Sequence, residues 1–320
     1  MRGSVYIAKR VGLAAGTVFV ALTLNFILFR AAPGDAVSNL SRVPHASPQL
    51  KQQLMHQFGL DKSKWEQYWL YLDQLFHGNL GISFADQQPV SHDLAVALGN
   101  TVPMVLLGTV IAILLGVVTG TLAAWRRGGV TDHVNTNVAI AFYSFPTQWL
   151  GLMLLILFAG VLPTSGMTDE FLIDPTWWEH TVDVLKHMIL PSATLALTLY
   201  GEYTLIARSS MLETLSEDYV LTARAKGLPN STVVRRHAFR NALLPTTTLV
   251  ALSLGYVVGG AILIETVFSW PGIGRAVYQA VLQRDYPMLQ GAFLVLTLSV
   301  VAFNLIADLL YFRLDPRVTE

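Results

Sequence analysis

The chain has 320 residues, no formal net charge and no cysteine; 53% of its residues are hydrophobic and only 13% are charged. Soluble globular chains carry roughly 25% charged residues, so an ordinary water-soluble domain is excluded, as are disulfides, thiolate catalysis and cysteine-ligated zinc. The neutral balance leaves no global electrostatic footprint for nucleic acid.

A helix needs roughly 20 predominantly apolar residues to cross a hydrocarbon core of about 30 Å. The mean hydropathy of +0.49 reflects six such stretches, which predicts an all-α integral membrane protein with about six transmembrane helices. The first runs from Val11 to Phe29, after Arg2, Lys9 and Arg10. It is longer than a secretory signal core, and Arg30 and Pro33 stand where a small-residue cleavage site is wanted, so it is read as a retained span. Residues 1–30 form this terminal end and first span, residues 31–99 an extramembrane helical segment, and residues 100–320 a core of five spans.

In residues 31–99, Ser47-Pro48 reads as a helix start and Gly59 as its stop. Ser63 and Glu66 make a capping box for a second helix. Trp65, Tyr68, Trp69, Leu72, Leu75 and Phe76 then recur at helical spacing. This aromatic face suits packing on span ends or the membrane interface better than docking an external partner.

The second to sixth stretches run from Thr101 to Ala124, Val138 to Val161, Met188 to Ala207, Thr246 to Ile264 and Met288 to Phe312, with Pro146 expected to kink the third. With six crossings, Arg2, Lys9, Arg10, Arg126, Arg127, the basic residues of segment 208–245, Arg313 and Arg317 all share one side. Asp169, Glu170, Asp174, Glu179 and Asp183 collect on the other. The basic side should be cytoplasmic, with both termini there, in a prokaryotic cell membrane.

Between the fourth and fifth spans, Ser216 is placed to cap a helix with Glu217 and Asp218 in its first turn and Arg224 and Lys226 in its last. Each charge then sits at the end of the macrodipole that favours it. Gly227 ends that helix and Pro229 prevents its continuation. Asn230 or Ser231 caps a second helix carrying Arg235, Arg236, His237 and Arg240. A loop tethered at both ends to a bilayer is poorly placed to reach duplex grooves. Attraction to anionic lipid headgroups and docking into a motor subunit both remain open on composition.

This segment carries a resemblance. SEDYVLTARAKGLPNSTVVRRHAFRNALLP is similar to the cytoplasmic loop of binding-protein-dependent ABC importer permeases: Ala223, Ala225 and Gly227 match the first part of its motif and Leu244-Pro245 the second. The DYVLTARAKG form looks like the dipeptide, oligopeptide and nickel branch. APGD at Ala32–Asp35, LFHGNLGIS at Leu75–Ser83, HMILPSATLAL at His187–Leu197, ETVFSWPGIG at Glu265–Gly274, RDYP at Arg284–Pro287 and DLLYFRLDPRV at Asp308–Val318 agree, most closely with the first of two paired permeases. HGNLG departs from the family's usual run.

The resemblance implies a type I importer permease that pairs with a second homologous permease, two cytoplasmic ATPase subunits and an extracytoplasmic solute-binding protein. It implies a translocation pathway for a small solute, most nearly di- or oligopeptides, with nickel as the alternative. Glu217, Asp218, Tyr219, Ala223, Arg224, Ala225, Lys226 and Gly227 are then the coupling contact, small side chains at Ala223 and Ala225 allowing close approach. No cofactor is expected on this chain; ATP and Mg belong to the partner subunits. That agrees with the residues, since no Gly-Lys dipeptide, H-E-x-x-H or G-x-S-x-G pattern occurs.

Within the spans, Gln148, Glu202, Asn304 and Asp308 are candidate pathway or intramembrane polar groups. Each acid costs roughly 2.5–3.5 kcal/mol at a helix centre, so Glu202 and Asp308 should face a cavity, a partner helix or the interface. Asp308 best fits a structural or interfacial role near Arg313. The eight histidines are scattered, without an i, i+4 pair, and read as solvated or interfacial rather than as a nickel or other metal site. A stand-alone secondary transporter or channel would usually show repeated halves, and none is evident.

Overall fold

The computed structural model of the protein describes residues 2–31, 62–243, 245–247, 249–250 and 261–314. Their helices are α1 (Arg2–Ala31), α2 (Lys64–Phe76), α3 (Val90–Trp125), α4 (Val130–Ser144), α5 (Thr147–Leu157), α6 (Trp177–Leu215), α7 (Asp218–Ala225), α8 (Asn230–Thr232, continued by a π-helical stretch Val233–Ala238), α9 (Ile262–Val267), α10 (Ile273–Gln283) and α11 (Tyr286–Leu314). Among the described residues α1, α3, α6 and α11 are each long and apolar enough to cross a membrane, and α4 with α5 forms a fifth, bent candidate. The middle of the remaining expected span, Thr246 to Ile264, lies outside the described residues, as do the Ser47-Pro48 start and the Gly59 stop.

The helices outrun their apolar cores because their caps lie in polar sequence. α6 begins at a capping box, in which Thr176 Oγ1 accepts from the Glu179 backbone and the Glu179 carboxylate accepts from the Thr176 backbone. The box expected at Ser63 and Glu66 opens α2 in the same way. The third expected span departs more. Phe145 and Pro146 are both extended, and α4 and α5 meet at 104°. Proline disfavours the α conformation in its predecessor, so two successive residues leave the helix and the expected kink is a complete break.

α1 and α11 run antiparallel and are pinned at several levels. Phe29 meets Phe293 with ring centroids 5.9 Å apart, Asn25 Nδ2 donates to the Gln290 carbonyl at 3.1 Å, and Arg10 pairs with Asp308 at 3.0 Å. Asp308 therefore has a partner on the first helix, brought there by side-by-side packing; the Arg313 side chain lies outside the described residues. Val90, Leu94 and Ala97 of α3 join Leu289 and Ala292 in one core cluster, whereas Ala124, at the other end of α3, packs with α7 and α8. The start of α1, the end of α11 and the α7–α8 hairpin thus share one end of the bundle.

At the far end, polar side chains anchor the turns between helices. Glu265 is fully buried. Its carboxylate accepts from Thr101 Oγ1 at 2.6 Å and from the Arg275 backbone at 2.9 Å. It thereby caps α10 from a distance, supplying an acceptor that the Gly272 N-cap lacks. Trp270, also fully buried, donates from Nε1 to the Asn100 carbonyl at 3.0 Å. Asp285 caps α11 through the Met288 backbone at 3.1 Å, and its second oxygen accepts from Ser83 Oγ at 2.6 Å and the Ala85 backbone at 3.1 Å. That second oxygen ties the segment before α3 to the start of α11.

Candidate functional site

The hairpin closes on itself. Val220 and Ala223 of α7 pack against Val233, Val234, Ala238 and Ala242, with Met211 of α6 and Ala124 of α3 at the base. α7 begins one residue later than expected, with Glu217 as its N-cap. Ser216 instead ends α6, its hydroxyl donating to the Glu213 carbonyl at 2.7 Å. The C-terminal side follows the expectation from Gly227, which takes φ +75° and donates its N–H to the Arg224 carbonyl at 2.9 Å. Pro229, rather than Asn230 or Ser231, occupies the N-cap of α8; its fixed φ suits the turn, and its carbonyl accepts from Thr232 and Val233.

Seven of the eight residues singled out here, namely Glu217, Asp218, Tyr219, Arg224, Ala225, Lys226 and Gly227, are exposed on the hairpin's outer surface. Ala223 is not; it is 4% exposed and lies inside the hairpin core. Its small side chain lets α7 close on the π-helical stretch, so the expected direct approach of Ala223 to a partner is corrected. The Tyr219 hydroxyl accepts from Asn241 Nδ2 at 2.8 Å, which fixes its ring against the second helix.

The helix that carries the hairpin is joined to α4 by an ion pair that sequence spacing did not reveal. Arg208, two turns before the end of α6, donates from Nε to Asp132 Oδ1 at 2.7 Å and from Nη2 to Oδ2 at 2.9 Å. Asp132 is buried in the first turn of α4 and also accepts from the Gly128 backbone at 2.9 Å. This two-pronged contact fixes the start of the bent α4–α5 pair to the helix that carries the hairpin. The only sequence signal was a lone acid following the arginine–glycine turn at 126–129.

Asp132→Ala should lower the stability of the purified protein by about 3 kcal/mol. That is the low end for breaking a buried pair, because Arg208 keeps some exposure. The Asp132→Arg/Arg208→Asp exchange should recover part of the loss. Thermal unfolding in detergent checks both, and an unchanged melting point for Asp132→Ala would refute this anchoring role.

The intramembrane polar residues do not converge. Gln148 is exposed on α5 and Glu202 half-buried on α6, while Asn304 and Asp308 lie on α11. No hydrogen bond or ion pair links the four among the described residues, and Asn304 Oδ1 is buried there without a partner.

Two family models cover nearly all of the chain. Residues 112–320 match the binding-protein-dependent transport system inner membrane component, and residues 4–105 match the N-terminal membrane component of such systems. The chain belongs to this permease family. The permease is 37% identical to the dipeptide transport system permease protein of Escherichia coli (strain K12), over 98% of both chains. It is 38% identical to the di/tripeptide transport system permease protein of Pseudomonas aeruginosa (strain UCBPP-PA14), and 33% identical to the glutathione transport system permease protein of Escherichia coli (strain K12), again over 98% of both chains in each case.

Proposed function

We propose that this permease forms, with a second homologous permease, the pathway of an ATP-driven importer for di- or oligopeptides. Two ATPase subunits grip its hairpin from the cytoplasm, and an extracytoplasmic binding protein delivers the solute. Relatives named for dipeptides, di/tripeptides and glutathione, each matched over 98% of this chain, support the peptide class. The observation that carries the coupling role is the hairpin's construction. A small core holds it rigid, seven polar or small positions face outward, and Arg208 with Asp132 connects its base to α4.

A rigid hairpin passes a displacement into the bundle where a floppy loop would absorb it. ATPase closure moves α7 and α8, α6 follows, and the ion pair takes α4 with it. The basic residues at the hairpin end favour the cytoplasmic side, with both termini there and segment 31–99 on the other side. ATP and Mg bind the partner subunits, and this chain contributes no catalytic group.

The lack of native cysteine makes the test direct. Tyr219→Cys should crosslink to an ATPase subunit in the assembled importer, with a yield that changes between nucleotide-free and ATP-bound states. Proteoliposomes holding the whole importer should take up a labelled dipeptide only with ATP and binding protein. Uptake by the permease chain alone, or no crosslink in an active importer, would overturn the proposal.

A further inference from the structure

α1 and α2 are docked by a few contacts on one side and leave a groove on the other. Thr23 Oγ1 and the Tyr68 hydroxyl are 2.8 Å apart, Asn25 Nδ2 donates to the Tyr71 hydroxyl at 3.3 Å, and Phe26 meets Tyr68 edge-on at 5.2 Å. Beside this seam lies a cavity of about 660 Å³, walled by Phe19, Phe26 and Ile27 of α1 and by Lys64, Trp65 and Tyr68 of α2. Its walls are almost wholly apolar, and among the described residues Lys64 is the only charged one that lines it.

The position of the groove narrows what it can hold. Phe19 lies twelve residues before the last residue of α1, roughly 18 Å down the helix axis at 1.5 Å per residue. Because α1 is a membrane span, the deep end of the groove is at hydrocarbon depth, and Phe19 and Ile27 are exposed there. On α2, Trp65 of the groove wall and the neighbouring Trp69 are exposed in the manner of interfacial aromatic residues. Among the described residues no carboxylate pairs with Lys64. The nearby carboxylate of Glu66 is engaged in the helix cap, accepting from the Ser63 backbone at 3.0 Å and the Ser63 hydroxyl at 2.8 Å. A peptide strand would have to leave backbone groups unsatisfied along such walls. A molecule with a long apolar chain and an anionic head satisfies both ends.

We propose that the groove between α1 and α2 is a binding site for one anionic phospholipid, its acyl chain along Phe19, Phe26 and Ile27 and its phosphate at Lys64. The lipid wedges α2 against the first span and so holds the extramembrane segment in place. This site is independent of the hairpin and of the transported solute.

The assembled importer, stripped of lipid in detergent, is titrated with dioleoylphosphatidylglycerol or dioleoylphosphatidylcholine and read by native mass spectrometry. One phosphatidylglycerol should be retained about fivefold more tightly than phosphatidylcholine, the worth of one basic residue at a membrane surface. Lys64→Glu, an exposed change that leaves the fold intact, should abolish that preference. Thr23→Trp should fill the groove and release both lipids, whereas Thr23→Val should retain them. Inorganic phosphate should not displace the bound lipid; displacement would make this a simple anion site. Equal retention of the two lipids by the native protein, or an unaltered preference in Lys64→Glu, overturns the proposal. So does a photoreactive residue at Ile27 that captures a polypeptide rather than lipid in membranes.

Discussion

Gly227→Pro is expected to leave the protein inserted in the membrane while abolishing ATP-driven uptake. Gly227 takes φ +75°, and proline is confined to about −65°. The variant also loses the N–H that bonds the Arg224 carbonyl at 2.9 Å, leaving the end of α7 unclosed. The turn between α7 and α8 must then reopen, pulling Val220 and Ala223 away from Val233 and Val234. None of these residues belongs to a membrane span, so insertion is untouched.

If the hairpin is the coupling element, ATP hydrolysis by the partner subunits should persist while labelled dipeptide uptake falls to background. Gly227→Ala should be intermediate. No atom lies within 4 Å of an added Cβ, so only the left-handed backbone is penalised, by about 1–2 kcal/mol. Immunoblotting of membranes, ATPase rate and uptake separate insertion from coupling, and normal uptake by Gly227→Pro would count decisively against the lever.

Gly116→Val combined with Gly120→Val is expected to prevent assembly altogether. Gly108, Ala112, Gly116 and Gly120 fall four residues apart on α3, on the stripe that faces α6. A Cβ at Gly116 would stand 2.5 Å from Tyr203 Cβ and 3.0 Å from the Thr204 nitrogen. One at Gly120 would fall on the Thr204 carbonyl oxygen and 2.9 Å from Ala207 Cβ. Small residues bring membrane helices into backbone contact, where dispersion and packing replace the hydrophobic drive that lipid does not supply. Overpacking a tight core costs about 1–3 kcal/mol per site, and here the obstructing atoms are backbone or Cβ atoms, which no side-chain rotation moves. The double variant should give no monodisperse peak in detergent, and either single variant should melt well below the native protein. A wild-type elution profile and melting temperature for the double variant would show that α3 and α6 are not held this way.

The two predictions differ in how far the sequence already supported them. Gly227 could be singled out from neighbours alone, because a glycine after a helix with Arg224 and Lys226 in its last turn, followed by Pro229, is a local stop signal. The small-residue stripe on α3 has a period as plain as any cap, but its meaning depends on which helix lies opposite. Ala223 shows the same limit inside the hairpin. Its size was legible, but the side toward which it turns was not, and burial moved its role from an outer contact to the hairpin core. Asp308 was expected to face a cavity, a partner helix or the interface; that Arg10, near the opposite end of the chain, pairs with it was not legible.

The sequence by itself determined what depends on neighbours a few residues apart: the apolar runs, the Ser63–Glu66 box, the reversal at Gly227 and the helical hairpin after α6. Its cues there are side-chain periodicity and capping, which act within one or two turns. Only the tertiary structure decided the pairings between distant segments: Arg208 with Asp132, Glu265 with Thr101, and Asp285 with Ser83. A lone acid looks the same in sequence whether it is solvated or buried. What separates the two is a donor brought within 3 Å by helix packing, and that packing is a property of the whole bundle.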